Sequence, residues 1–115
     1  MTATPLPRRC TPCRGGIPPL SRAEAEEALR RIPGWTLADD GRRLERRFTF
    51  SDFAAALRFV IAVGEAAERE GHHPDIALGW GYATVSWQTR KIMGLHDNDF
   101  IMAAQTDILA SPAAR

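Results

Sequence analysis

Two adjacent imidazoles, His72 and His73, lie within Glu68-Arg69-Glu70-Gly71-His72-His73-Pro74-Asp75, and they are two of only three histidines in 115 residues. Imidazole changes charge near neutral pH, so a pair at the junction of two elements points to proton-transfer chemistry. Gly71 reads as a helix stop. Pro74 stiffens the exit and biases His73 toward extended backbone, which aims the two rings in different directions. Glu68 stands one helical turn before His72, in reach to orient an imidazole. Asp99 falls near the start of the last helical pattern, where a carboxylate accepts backbone N–H groups and opposes the positive helix end. Arg90-Lys91 closes the strand that follows, and puts a cation where such a site has use for another base. Each residue also has a plainer use: an imidazole capping helix-end carbonyls, a solvated glutamate among Glu65, Arg69 and Glu70, a capping aspartate. Trp80 and Trp87 read as sheet residues whose indoles are also able to stack on a flat heterocycle.

The elements that must position these groups follow from patterning. Residues 1–19 carry Pro5, Pro7, Pro12, Pro18, Pro19 and Gly15-Gly16 and read as an irregular arm. Ser21-Arg22-Ala23-Glu24 is a capping-box pattern, with Leu20 placed to staple onto Ala25. The stripe Ala25, Ala28, Leu29, Ile32 predicts a helix over about 22–32, stopped by Pro33-Gly34. A strand begins at Trp35, and Asp39-Asp40-Gly41 is a hairpin turn. Leu44, Arg46, Phe48 and Phe50 share one face of the returning strand, and Glu45, Arg47 and Thr49 the other. A second helix is expected over about 52–70. It carries two apolar stripes, Phe53, Leu57, Val60, Gly64, Ala67 and, offset, Ala56, Phe59, Val63, Ala66. A helix covering one sheet needs a single stripe, so the second predicts an oligomer. Ile76, Leu78 and Trp80 alternate along a third strand, with Gly79-Trp80-Gly81 a turn or bulge, and Ala83, Val85 and Trp87 alternate along a fourth. The last helix, about 97–110, is built on Phe100, Ile101, Ala104 and Ile108. The expected class is α+β, in the order α-β-β-α-β-β-α: a four-stranded antiparallel sheet with three helices on one face, in one domain over 20–111, followed by a tail at 112–115.

Length and composition fit one soluble domain with a modest core. The formal net charge of +1 argues for neither nucleic acid nor membrane as a partner. No stretch reaches a transmembrane length, and Met1–Arg9 has no apolar signal core, so the expected location is cytoplasmic. Cys10 and Cys13 form one C-x-x-C pair. A structural zinc site usually takes four ligands, and a redox motif would open a helix after a strand, so the plain reading is two reduced thiols and no metal, the alternative being a metal shared with a histidine or between two subunits.

Glu68-x-x-x-His72-His73-Pro74, Trp80, and Gly94-Leu95 followed by Asp99 resemble the signature of the pterin-4a-carbinolamine dehydratases. The likeness continues through Pro33-Gly34-Trp35, Phe48-Thr49-Phe50-Ser51-Asp52-Phe53 and Asn98-Asp99-Phe100-Ile101-Met102-Ala103-Ala104, covering roughly residues 20–110. Cys10-x-x-Cys13-Arg14-Gly15-Gly16 is similar to an extension found in part of that family. The resemblance implies the α+β fold above, a homodimer or tetramer, and a cleft that binds a reduced pterin and eliminates water from its 4a carbon. It implies no cofactor. It assigns His72, His73 and Asp99 as the catalytic set, supported by Glu68, Pro74 and Trp80.

The resemblance also places Arg90 where the family carries a third histidine. A guanidinium offers donors only and stays charged throughout the physiological range. It is bulkier than imidazole and able to fill the pocket. Trp87-x-Thr89-Arg90-Lys91-Ile92 is more similar to a non-catalytic branch, the carboxysome-associated dehydratase-like proteins and related plastid proteins that act as RuBisCO assembly factors. Two functions are therefore expected in turn. The first is a non-catalytic factor binding RuBisCO subunits, with carboxysome association. The alternative is an active 4a-hydroxytetrahydrobiopterin dehydratase, a hydro-lyase of tetrahydrobiopterin recycling.

Overall fold

The computed structural model describes Cys10 and residues 16–111. Cys13 lies outside the described residues. The elements run α1 (Arg22–Ala28), a 3₁₀ turn (Leu29–Arg31), β1 (Thr36–Ala38), β2 (Arg43–Thr49), α2 (Phe53–Glu70), β3 (Asp75–Gly79), β4 (Tyr82–Trp87), a second 3₁₀ turn (Arg90–Ile92) and α3 (Asp97–Ala110). The four strands form one antiparallel sheet in the order β1-β2-β4-β3. This is the predicted α+β architecture, with the two hairpins side by side and joined through β2 and β4, so that those two strands lie inside the sheet.

Local chemistry accounts for the ends of the helices. Ser21 accepts from the Glu24 N–H and Glu24 accepts from the Ser21 N–H, which closes the predicted capping box. Those same bonds, the backbone one first, hold the Glu24 carboxyl below its ordinary value. Asp52 caps α2 by accepting from Ala55 N–H at 2.8 Å. Gly71 ends α2 in the left-handed conformation, φ 66°, which costs glycine nothing.

Phe59 of α2 packs between Phe48 and Phe50, at centroid distances of 4.8 and 5.1 Å. Trp35 meets Phe48 edge-on at 6.0 Å. Ala56, Phe59, Val63 and Ala66 are buried on the sheet, whereas Phe53, Leu57 and Ile61 stay 42, 38 and 52% exposed. The second stripe of α2 is therefore the one its own fold uses. Of the first, Ala67 is buried and Val60 packs against the core, so only Phe53 and Leu57 are left uncovered, with Ile61 beside them.

Two expectations are corrected. Trp80 is not in a strand: β3 ends at Gly79, and Trp80 is 72% exposed at the turn into β4. Gly81, the next residue, has φ 77°, so the chain turns over Trp80 and Gly81 and the alternation ends with β3. Ile108 is also exposed; α3 is held instead by Phe100, Met102, Ala103 and Thr106, all buried. The exit of α3 is tied by Asp107, which accepts from Trp35 Nε1–H and from Arg46 Nη1, both at 2.9 Å.

Burial pushes the Asp107 carboxyl above its ordinary 3.8, and the bonds from Trp35 and Arg46 pull it partly back. In the window between 3.8 and its raised value the folded chain holds more protons than the unfolded chain, so this group's contribution falls as pH rises. Asp107→Ala strands two donors and should cost about 1–3 kcal/mol in urea denaturation. The gap between wild type and variant should narrow as pH rises through that window; a gap that widens counts against the assignment.

Candidate active-site cleft

A cleft of about 440 Å³ opens where α2 hands over to β3 and where β4 leaves the sheet. It is lined by residues 71–75 and 88–91. The glycine stop turns the chain back at once: His72 N–H still bonds Ala67 O at 3.2 Å, and Pro74 leads directly into β3. The two imidazoles part as the sequence predicts. His72 turns inward and is buried; His73 turns outward.

His72 Nε2 lies 2.7 Å from Asp99 Oδ1. Asp99 is fully buried at the third position of α3. Its other oxygen, Oδ2, accepts from Thr89 Oγ1–H at 2.6 Å and from His96 N–H at 3.0 Å. A carboxylate is an acceptor only, so Nε2 carries the proton that faces Oδ1. In the neutral ring this leaves Nδ1 with the lone pair. The His72 ring also lies parallel to Trp87, at 8° and 5.7 Å between centroids. Trp87 is itself fixed by Nε1–H to Thr106 Oγ1 at 3.1 Å. One imidazole is thus held by a hydrogen bond at one edge and an indole against its face.

The outer partners are different in kind. Glu68 pairs with His73 Nε2, not with His72. The one-turn spacing that would have placed it on His72 is lost once Gly71 leaves the helix. Arg90 does not fill the cleft. Its Nη2 bonds both oxygens of Asp75 at 2.7 Å, and both side chains are largely exposed. Arg90 opens a short loop closed by two main-chain bonds, Thr89 N–H to Gly94 O at 2.9 Å and Gly94 N–H to Thr89 O at 3.3 Å. Pro74 lines the cleft; Trp80 is not among the lining residues. His96, the last histidine, starts α3 and is not among them either. Cys10 docks by N–H to Glu70 Oε1 at 2.8 Å. Among the described residues no group of three or more His, Cys, Asp or Glu side chains is arranged to hold a metal.

Sequence reasoning missed Thr89 and the role of Trp87. The signal was present: Ala83, Val85, Trp87 and Thr89 continue one period-2 face past the end of β4, toward the same interior as Asp99.

Asp99→Asn should move the His72 proton. Thr89 and His96 both donate to one oxygen, so the amide would keep its oxygen there and turn its NH₂ toward His72. The imidazole must then accept at Nε2 and carry its proton on Nδ1. Long-range ¹H–¹⁵N correlation spectra should show the exchange of tautomer, with a stability loss of roughly 1–3 kcal/mol. An unchanged tautomer would refute the hydrogen-bond assignment.

Comparison with known proteins agrees with the resemblance. The sequence pattern of the family described as "Pterin 4 alpha carbinolamine dehydratase" matches residues 18–109. A protein of Cupriavidus pinatubonensis named "Putative pterin-4-alpha-carbinolamine dehydratase 1" is 69% identical over 102 residues, 89% of this chain and 88% of that one. A relative from Azoarcus sp. with the same family name is 63% identical over 103 residues, 90% of this chain and 88% of that one. Among solved structures, a "transcriptional coactivator/pterin dehydratase" from Brucella melitensis superposes with a TM-score of 0.76 at 30% identity, covering 81% of this chain and 99% of that one. A "pterin dehydratase-like protein", described as "a RuBisCO assembly factor in the alpha-carboxysome", superposes at 0.60 and 25% identity, over 70% and 93% of the two chains. The chain belongs to the pterin-4a-carbinolamine dehydratase family.

Proposed function

We propose that the cleft binds a reduced 4a-hydroxypterin and removes water from it. The observation that carries this reading is the intact interior pair: His72 oriented by a buried, fully bonded Asp99, in a cleft that Arg90 lines while paired to Asp75. The reaction needs one group to take a proton from a ring nitrogen and another to protonate the departing hydroxyl. His72 is the acceptor, because Asp99 occupies its Nε2–H and leaves Nδ1 with the lone pair. His73, at the outer wall with Glu68, is the donor. Arg90 transfers no proton; it supplies N–H groups at the rim.

The same substitution favours a second reading, a non-catalytic assembly factor for RuBisCO subunits with carboxysome association. It draws on Arg90 standing at the third-histidine position and on the assembly factor with the similar fold. The partner surface would then be the sheet face away from the helices, together with the Arg90-Lys91 edge. The location follows whichever reading holds. Among the described residues no helix is long and apolar enough to cross a membrane.

A homo-oligomer fits both readings, with the exposed α2 face of Phe53, Leu57 and Ile61 as the contact.

Carbinolamine dehydration assays separate the two. The dehydratase reading expects measurable wild-type turnover, a 10²–10⁴-fold loss in His72→Ala, and less than about a tenfold gain in Arg90→His. Background turnover in the wild type with a gain of roughly 10²–10⁴-fold in Arg90→His selects the non-catalytic reading instead. For the oligomer, Ile61→Glu should lower the mass measured by light scattering while leaving the circular dichroism spectrum intact. A wild type that already elutes as a monomer at micromolar concentration would exclude the α2 contact.

A further inference from the structure

We infer that the segment entering α1 is a strap that positions His72, and that it acts through the contact of Pro19 with Gly94. Leu20 donates its N–H to Leu95 O at 2.9 Å, which lays the strap along the start of the segment leading to α3. Pro19 then lies so close to Gly94 that a β-carbon on Gly94 would stand 2.5 Å from Pro19 Cβ and 3.2 Å from its Cγ. A proline ring is joined to its own backbone at both ends and has no rotamer by which to move away. Gly94 is not in the left-handed region, so its backbone conformation does not demand glycine. The neighbouring ring accounts for the missing side chain.

Gly94 is where the strap meets the site. It exchanges two main-chain hydrogen bonds with Thr89. The Thr89 hydroxyl holds Asp99 at 2.6 Å, and Asp99 holds His72 at 2.7 Å. The path Pro19, Gly94, Thr89, Asp99, His72 consists of direct contacts throughout. Cys10 adds a second tie, its N–H on Glu70 near the end of α2 and its thiol 4.0 Å from Asn98 O in the first turn of α3. Pro19 is itself exposed and buries little apolar surface. Its effect is therefore on where Gly94 and Thr89 sit more than on whether the domain folds. Pro19 and Gly94 are positioning residues; neither lines the cleft.

The test is a double-mutant cycle in the full chain, with Gly94→Ala, Pro19→Gly and both together. The His72 ring ¹⁵N shifts and the hydrogen exchange of the Thr89 and Gly94 amides are read alongside kcat and KM for carbinolamine dehydration. Only the kinetic readout rests on the proposed function. Gly94→Ala is expected to shift the His72 signals and lower kcat by on the order of 10–10²-fold, with KM changed far less, because it displaces a group that acts in the chemical step. Removing the ring and β-carbon at residue 19 makes room for the new methyl, so the double variant should regain most of the lost kcat and the His72 signals of Pro19→Gly alone. An equal loss in both backgrounds, or a Gly94→Ala protein with unmoved His72 signals, overturns the inference. If Gly94→Ala does not fold, Pro19→Gly decides alone: faster exchange at Thr89 and Gly94 with shifted His72 signals supports the strap, and unchanged values refute it. A wild type that does not dehydrate the carbinolamine defeats the proposed function, and the His72 spectra still decide the strap.

Discussion

A carboxylate buried without partners is among the costliest things a fold can contain. Asp99 has none of its surface in contact with water, and it is made tolerable by three donors from three different segments. His72 comes from the end of α2, Thr89 from the exit of β4, and the His96 N–H from the start of α3. Each donor is separated in sequence from at least one of the others by an element of regular structure. The cost of leaving Asp99 unpaired thus fixes the mutual placement of α2, β4 and α3 at this end of the molecule. The cleft exists where it does because those three ends must meet around one charge.

Around that fixed centre the other charged pairs are of a different strength. His73 with Glu68 and Arg90 with Asp75 are exposed on both sides. Exposed pairs of this kind contribute between nothing and about 1 kcal/mol, and they exchange easily with water or ligand. The cleft therefore has one rigid wall, made of His72, backed by Trp87, and Thr89, and one adaptable wall, made of His73, Arg90 and Lys91. A ring-shaped ligand would find its orientation from the first and its fit from the second.

Much of this was legible from the sequence because the strongest local signals are chemical. The capping box at Ser21, the glycine stop at Gly71 and the alternation of Ala83, Val85 and Trp87 each have one low-energy interpretation, and each element lies where they placed it. The parting of His72 from His73 followed from Gly71 and Pro74 in the same way. What failed were inferences that extend a period past a break. Glu68 was counted onto His72 across a residue that leaves the helix, and the alternation of Ile76 and Leu78 was carried on to Trp80, although Gly79-Trp80-Gly81 itself reads as a turn. The Thr89–Asp99 bond was invisible for another reason: it joins residues ten apart through a loop whose closure no propensity describes. Arg90 shows the limit most plainly. Its type and charge were read correctly, but whether it fills the cleft depends on Asp75, a partner fifteen residues away on the neighbouring strand.

The position of the cleft on α2 bears on how assembly and chemistry relate. Ile61 is the residue of the exposed α2 face nearest the cleft, and Gly71 lines the cleft; ten residues of helix separate them, roughly 15 Å at the α-helical rise. A second copy docked on that face would not need to lend a side chain to His72 or Asp99. It would instead hold the outer face of the helix whose inner face carries Phe59, Val63 and Ala66 against the sheet, and whose last turn leads into His72. Association and site are then linked through the rigidity of one helix. If that face is the contact, a change at residue 90 would leave it untouched, because the two surfaces share an element and no residues. Such a separation would let one scaffold carry different functions on different surfaces.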